Sequence, residues 1–120
     1  MNSILTSIKK LLGISAEETH FDSDIIMHIN SVFSTLNQLG VGPKATFAIQ
    51  DDTAVWNDFV EDDNDINSVK TYIYLKVRLL FDPPTSSAVL SAMERQISEF
   101  EWRLNVTSEN KQKEEDDEYV

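Results

Sequence analysis

Between Ile66 and Phe81 apolar residues recur at helical spacing along two lines, and Asp82-Pro83-Pro84 follows at once. Ile66, Val69, Ile73, Val77 and Leu80 form one line; Tyr72, Leu75 and Leu79 form the other. A helix that is apolar on two sides has to be covered on two sides, so the segment predicts a central helix from about Asp65 to Phe81. The prolines end it, because neither carries a backbone N–H and each pushes its predecessor out of the helical region. Beyond that corner a further helix is expected from Thr85 or Ser86 to about Arg103. Val89, Met93, Ile97, Phe100 and Leu104 lie on one face of it, with Glu94, Arg95, Glu99 and Glu101 around the rest. It should return antiparallel along the central helix.

Two helices precede this pair. Ile4, Ile8 and Leu11, flanked by Leu5 and Leu12, predict a short one, with Gly13 placed for a left-handed C-terminal cap. It is too short to persist alone in water and must dock on a neighbour. Asp22 or Asp24 can cap the second, whose stripe runs Ile25, Ile29, Val32, Leu36, Leu39 before Gly40. From Val41 to Asp65 the helical period is lost. Gly40-Val41-Gly42-Pro43 reads as a turn, followed by the apolar patches Thr46-Phe47-Ala48-Ile49 and Val55-Trp56. A short β-hairpin is one reading of those patches; a lid in which Trp56 and Phe59 cover the helices is the other.

Three glycines and three prolines in 120 residues supply too few turns for an all-β chain. The expected fold is therefore mainly α, a small bundle of about four helices with an irregular acidic insertion between the second and third. Residues 1–105 form one domain on this reading. The segment after Asn105 has no apolar period, so 106–120 is expected to be a disordered acidic tail.

The chain has no cysteine, which excludes disulfides and thiolate metal sites and fits a reducing cytoplasm. Lys9 and Lys10 follow the first apolar residues instead of preceding them, the reverse of a signal peptide. No stretch approaches the roughly 18 apolar residues of a membrane span. Net charge is −11, and Asp51, Asp52, Asp58, Glu61, Asp62, Asp63 and Asp65 lie in one run without a Lys or Arg among them; Glu114-Glu115-Asp116-Asp117-Glu118 forms a second. Nucleic-acid binding by counterion release needs bases facing phosphate, so this charge pattern argues against it. Solvated loop and tail is the plainest reading of both runs.

Catalytic and metal-binding patterns are wanting. His20 and His28 would be about 12 Å apart on one helix, too far to share a metal, and His28 reads as a partly packed side chain beside Asp24. Gly40-x-Gly42 lacks the third glycine, preceding strand and following helix of a phosphate cradle. Asp63-x-Asp65-x-Asn67 opens like a calcium loop, but Ser68 stands at the glycine position and Tyr74 at that of the bidentate glutamate. The pairs Asp51-Asp52 and Asp62-Asp63 sit in an exposed loop, where neither carboxylate would be shifted for acid–base work. No active site and no cofactor are expected, and the chain reads as a binding protein and not an enzyme. Trp56 is assigned to the core and Trp102, beside the main stripe near a helix end, to an interface.

Taken in order, several segments resemble the head-tail connector adaptor family of long-tailed bacteriophages, the proteins of the first ring below the portal. They are the opening helix Ile4-Leu5-Thr6-Ser7-Ile8-Lys9-Lys10-Leu11-Leu12-Gly13-Ile14, the acidic helix start Asp22-Ser23-Asp24-Ile25-Ile26, the turn Gln38-Leu39-Gly40-Val41-Gly42 and Trp56 in the acidic insertion. The more specific match runs from Tyr72-Ile73-Tyr74-Leu75 through Phe81-Asp82-Pro83-Pro84 to Glu99-Phe100-Glu101-Trp102-Arg103-Leu104. The resemblance covers about residues 1–105. It implies a structural virion protein of the neck, assembled in the host cytoplasm. It also implies a homo-oligomeric ring of twelve copies between the portal protein and the next head-completion (stopper) protein, through which DNA passes without being specifically bound. It places portal docking on Trp102, Arg103, Leu104 and Val106. If the acidic insertion lines that ring, Asp51, Asp52, Asp58, Glu61, Asp62, Asp63 and Asp65 would surround the channel with carboxylates. The alternatives are another phage neck or tail-completion protein, or a small acidic inhibitor that occupies a DNA-binding protein by charge mimicry.

Overall fold

The computed structural model describes residues 3–43, 45–60 and 63–118, with backbone alone for 63–64 and 111–118. Its elements in order are α1 (Ile4–Leu11), α2 (Asp22–Gln38), α3 (Trp56–Phe59), α4 (Asp63–Phe81) and α5 (Ser87–Glu118). Helix α4 is the hub: α1, α2 and α5 all pack on it, α2 most extensively. Val69, Tyr72, Ile73 and Val77 of α4 are sealed from solvent, as are Ile25, Ile29, Phe33 and Leu36 of α2 and Ile4 and Ile8 of α1. The mainly α bundle expected from periodicity is the fold observed.

α1 starts at Ser3, whose hydroxyl accepts from the Thr6 amide (3.2 Å), and stops at Gly13 in the left-handed region. Its most consequential side chain is Lys9, which is 2% exposed. The Lys9 ammonium donates to the carbonyls of Glu18 (2.6 Å) and Ala16 (3.3 Å) and pairs with Asp22 Oδ1 at 2.8 Å. The ammonium thus has two carbonyl acceptors and a carboxylate at ion-pair distance, and the loop from Gly13 to Phe21 is folded around it. Asp22 accordingly does not cap α2 through its side chain. The residue preceding that helix is Phe21, which makes no side-chain capping bond.

The insertion holds the clearest difference from the sequence-based expectation. No strand occurs among the described residues, and the hairpin considered for Thr46–Ile49 and Val55–Trp56 is not formed. Each segment is instead tied to a helix. Asn30 on α2 donates to the Ile49 carbonyl (2.9 Å) and accepts from its amide (2.8 Å), supplying the paired bonds that a neighbouring strand would have supplied. Val55 bridges Ser3, the Ile4 amide donates to Ala54, and the Trp56 indole donates to Ser7 Oγ at 3.2 Å. Trp56 and Phe59, on the single turn of α3, are buried, with Phe59 against Phe33 and Phe47. They form the lid that was the second reading.

At the far corner α4 stops at Phe81 before the two prolines, and α5 returns antiparallel. Leu80 (53% exposed) and Val89 (47%) flank that corner and stay outside, although both lie on the predicted stripes. No other element among the described residues covers them. α5 also runs well past its expected end at Arg103. Residues 106–118 carry no apolar stripe but are rich in Glu, Lys and Gln, which lose little side-chain freedom in a helix and extend one already nucleated. The segment expected to be a disordered tail is thus helical to Glu118, and no backbone break falls at residue 105. About two-thirds of the way along, α5 passes the end of α2, where Ser108 Oγ donates to the Gly40 carbonyl (2.9 Å). Gly40 has φ +82°, and a Cβ there would collide with the Ser108 hydroxyl.

Replacing Lys9 with Ala leaves Asp22 and two carbonyls without their cation. We expect Lys9→Ala to lower unfolding stability by about 3 kcal/mol in denaturant titration, whereas Lys10→Ala, at an exposed site one residue on, should change it little.

Candidate interaction surface

α5 has two unlike faces. The inner one is anchored by Met93, Ile97 and Leu104, all under 10% exposed, with Phe100 half-buried between them. Between these anchors Glu101 reaches α4, where its Oε2 accepts from the Tyr72 hydroxyl at 2.7 Å and lies 4.0 Å from the Lys76 ammonium. Tyr72 is otherwise fully enclosed in the core. Burial, then the adjoining carboxylate, pushes its phenol well above the ordinary tyrosine range. A buried hydroxyl needs a partner, and Glu101 is that partner.

The four residues expected to dock on a partner separate on these faces. Trp102 is 67% exposed, more so than any other large apolar side chain described. Arg103 is exposed and pairs with Glu99 one turn earlier. Val106 is half-buried, and Leu104 is turned into the core, where it holds α5 in place. A shallow groove of about 340 Å³ runs beside Trp102, bounded by Phe100, Arg103, Val106 and Thr107 of α5 and by Asp65 and Ser68 at the start of α4. A second apolar patch lies at the opposite end of the body, where Phe21 and Phe81 meet edge to face (5.4 Å) beside exposed Leu80.

The acids of the insertion are less uniform than their spacing suggests. Asp51, Asp52 and Asp58 are exposed, and Asp65 is half-buried at the head of α4. The Thr53 hydroxyl (2.5 Å) and amide (2.9 Å) both donate to Asp51 Oδ1 and hold that carboxyl below its ordinary range. Asp58 accepts from the Val55 amide (2.9 Å) and so fixes the start of α3. Glu61 and Asp62 lie outside the described residues, as does the side chain of Asp63. Among the described residues no group of three or more His, Asp or Glu is placed to hold a metal ion, and no helix is long and apolar enough to cross a membrane.

Sequence reasoning found Trp102 because it lies off the apolar line, and missed Glu101. The pairing of Glu101 with Tyr72 spans 29 positions and requires the antiparallel register of α4 and α5 to be known.

A helical body whose outermost helix bears a bare indole beside a groove has the make-up of a protein-binding module. The family described as phage connector protein matches residues 4–111, and the chain belongs to it: it is a phage head-tail connector protein. No curated protein and no solved structure matches it.

The Tyr72–Glu101 contact has a pH signature. In the unfolded chain the phenol ionises near pH 10, while the buried phenol keeps its proton; above that point unfolding releases a proton and stability falls as pH rises. Unfolding free energy should therefore decline above about pH 10, and decline less steeply in Tyr72→Phe, when measured by denaturant titration at a series of pH values. At neutral pH the same variant should lose about 1 kcal/mol.

Proposed function

We propose that the protein is the adaptor of the virion neck: it binds the portal protein through α5, forms a homo-oligomeric ring beneath it, receives the next head-completion protein on its other side and leaves a channel for DNA. Family membership supports the connector role. The observation that carries the portal contact is Trp102, two-thirds exposed at the edge of the groove on α5. A tryptophan with a pocket beside it is the kind of residue that dominates binding at an interface. The length of α5 adds to this. Ten residues of α5 follow Ser108, which bonds Gly40 at the end of α2, and at 1.5 Å per residue they carry the helix about 15 Å further. Such a projection suits insertion into a neighbouring protein. Exposed Asp51, Asp52 and Asp58 suit a channel wall that repels phosphate, with Asp65 at its border.

Sedimentation of the purified chain with the portal of the same phage tests the reading. The full-length chain should co-sediment with portal. The chain ending at Leu104 should do so less well, and Trp102→Ala should weaken binding by tenfold or more. Absence of any complex with portal in all three forms would overturn it.

A further inference from the structure

Trp102 projects from the outer side of α5, where its indole also borders the groove that reaches Asp65 and Ser68 of α4. At 100° per residue, Ala88, Ser91, Arg95 and Ser98 fall within about 40° of its direction, opposite the anchoring line of Met93, Ile97 and Leu104. Ala88, Ser91, Glu94, Arg95 and Ser98 bound a shallow depression on this outer face, with no large apolar side chain among them. Glu94 and Arg95 at its centre are both exposed, and the ion pairs formed by the described residues involve neither.

We propose that two free copies of the chain pair through this face, with their α5 helices antiparallel about a two-fold axis that passes between Glu94 and Arg95. In that register Glu94 of each copy meets Arg95 of the other, Ser91 meets Ser98, and each Trp102 descends over the turn at Ser87 and Ala88 of the opposite chain. Charge complementarity selects a second copy as the occupant. A cationic partner would answer Glu94 and leave Arg95 opposed, and an anionic one the reverse, whereas the two-fold operation satisfies both residues twice over. It also selects the direction: in-register parallel helices would set Arg95 against Arg95. The serines allow the two backbones to approach closely, and the depression takes the indole that would otherwise face water. This pairing does not rest on the portal reading. It covers the same Trp102, so on both readings together the free pair and the portal-bound chain exclude one another.

Sedimentation velocity of the full-length chain at low salt, over a wide concentration range, tests the proposal. The wild type should pass from monomer to dimer. Glu94→Arg and Arg95→Glu each place like charges at both contacts and should weaken dimerisation by about tenfold or more. The double exchange should restore it. An equimolar mixture of the two single variants should also dimerise, because one then offers two arginines where the other offers two glutamates. Circular dichroism confirms that each variant is folded. A wild type that stays monomeric, one that assembles beyond two, a dimer indifferent to the charge reversals, or single variants that fail to recover on mixing would each overturn the proposal.

Discussion

The burial of α4 is the constraint from which the rest of the structure follows. Val69, Tyr72, Ile73 and Val77 are shut off from water on a helix whose apolar residues occupy two sides, and each buried side chain of this size contributes on the order of 2 kcal/mol. That gain is available only if separate elements cover the separate sides. α2 covers one, α5 another, and α1 closes the remaining gap with two turns that could not persist alone. The insertion between α2 and α4 then has no face of its own to bury. It contributes Ile49, Trp56 and Phe59 to the edge of the existing core, which explains why it needs only a single helical turn and a few side-chain ties to keep its path.

Much of this could be read directly from the chain, because an apolar period is a local property. The lines Ile25–Ile29–Val32–Leu36 and Val69–Ile73–Val77 are buried as their spacing implies, and Gly13, Gly40 and the Pro83-Pro84 pair end helices where local chemistry requires it. What could not be read depends on side chains meeting across loops. Lys9 looks like an ordinary basic residue in the last turn of a helix. Only the return of the chain through Ala16, Glu18 and Asp22 makes it a buried cation. Asn30 looks like a polar interruption of α2, yet it replaces the strand that the Thr46–Ile49 patch appeared to need. Asp22 was the better cap by residue type, and the buried ammonium took it.

The candidate surface divides along the same lines. Trp102 stood out as an aromatic off the α5 stripe near a helix end; at 100° per residue it falls on the side opposite that stripe, and it is exposed there. Leu104 belongs to that stripe, and its burial shows that a single run of three residues serves two purposes: Leu104 fastens the helix, while Trp102 and Arg103 face outward. The acids were legible as a charge run but not as individuals. Asp51 and Asp58 accept backbone amides and so hold the loop in shape, which leaves Asp52 as the one of these three with no structural task among the described contacts.

The contacts that hold α5 to the body and the side chains it leaves exposed lie on opposite faces of the helix. Met93, Ile97, Leu104 and the Tyr72–Glu101 bond fasten the helix to α4, and every one of these contacts points inward. Trp102 is not among the buried side chains of that attachment, and Glu94 and Arg95 form no ion pair within the described chain. A partner that takes up the outer face therefore removes nothing from the fold, so its binding energy is not spent on undoing native contacts.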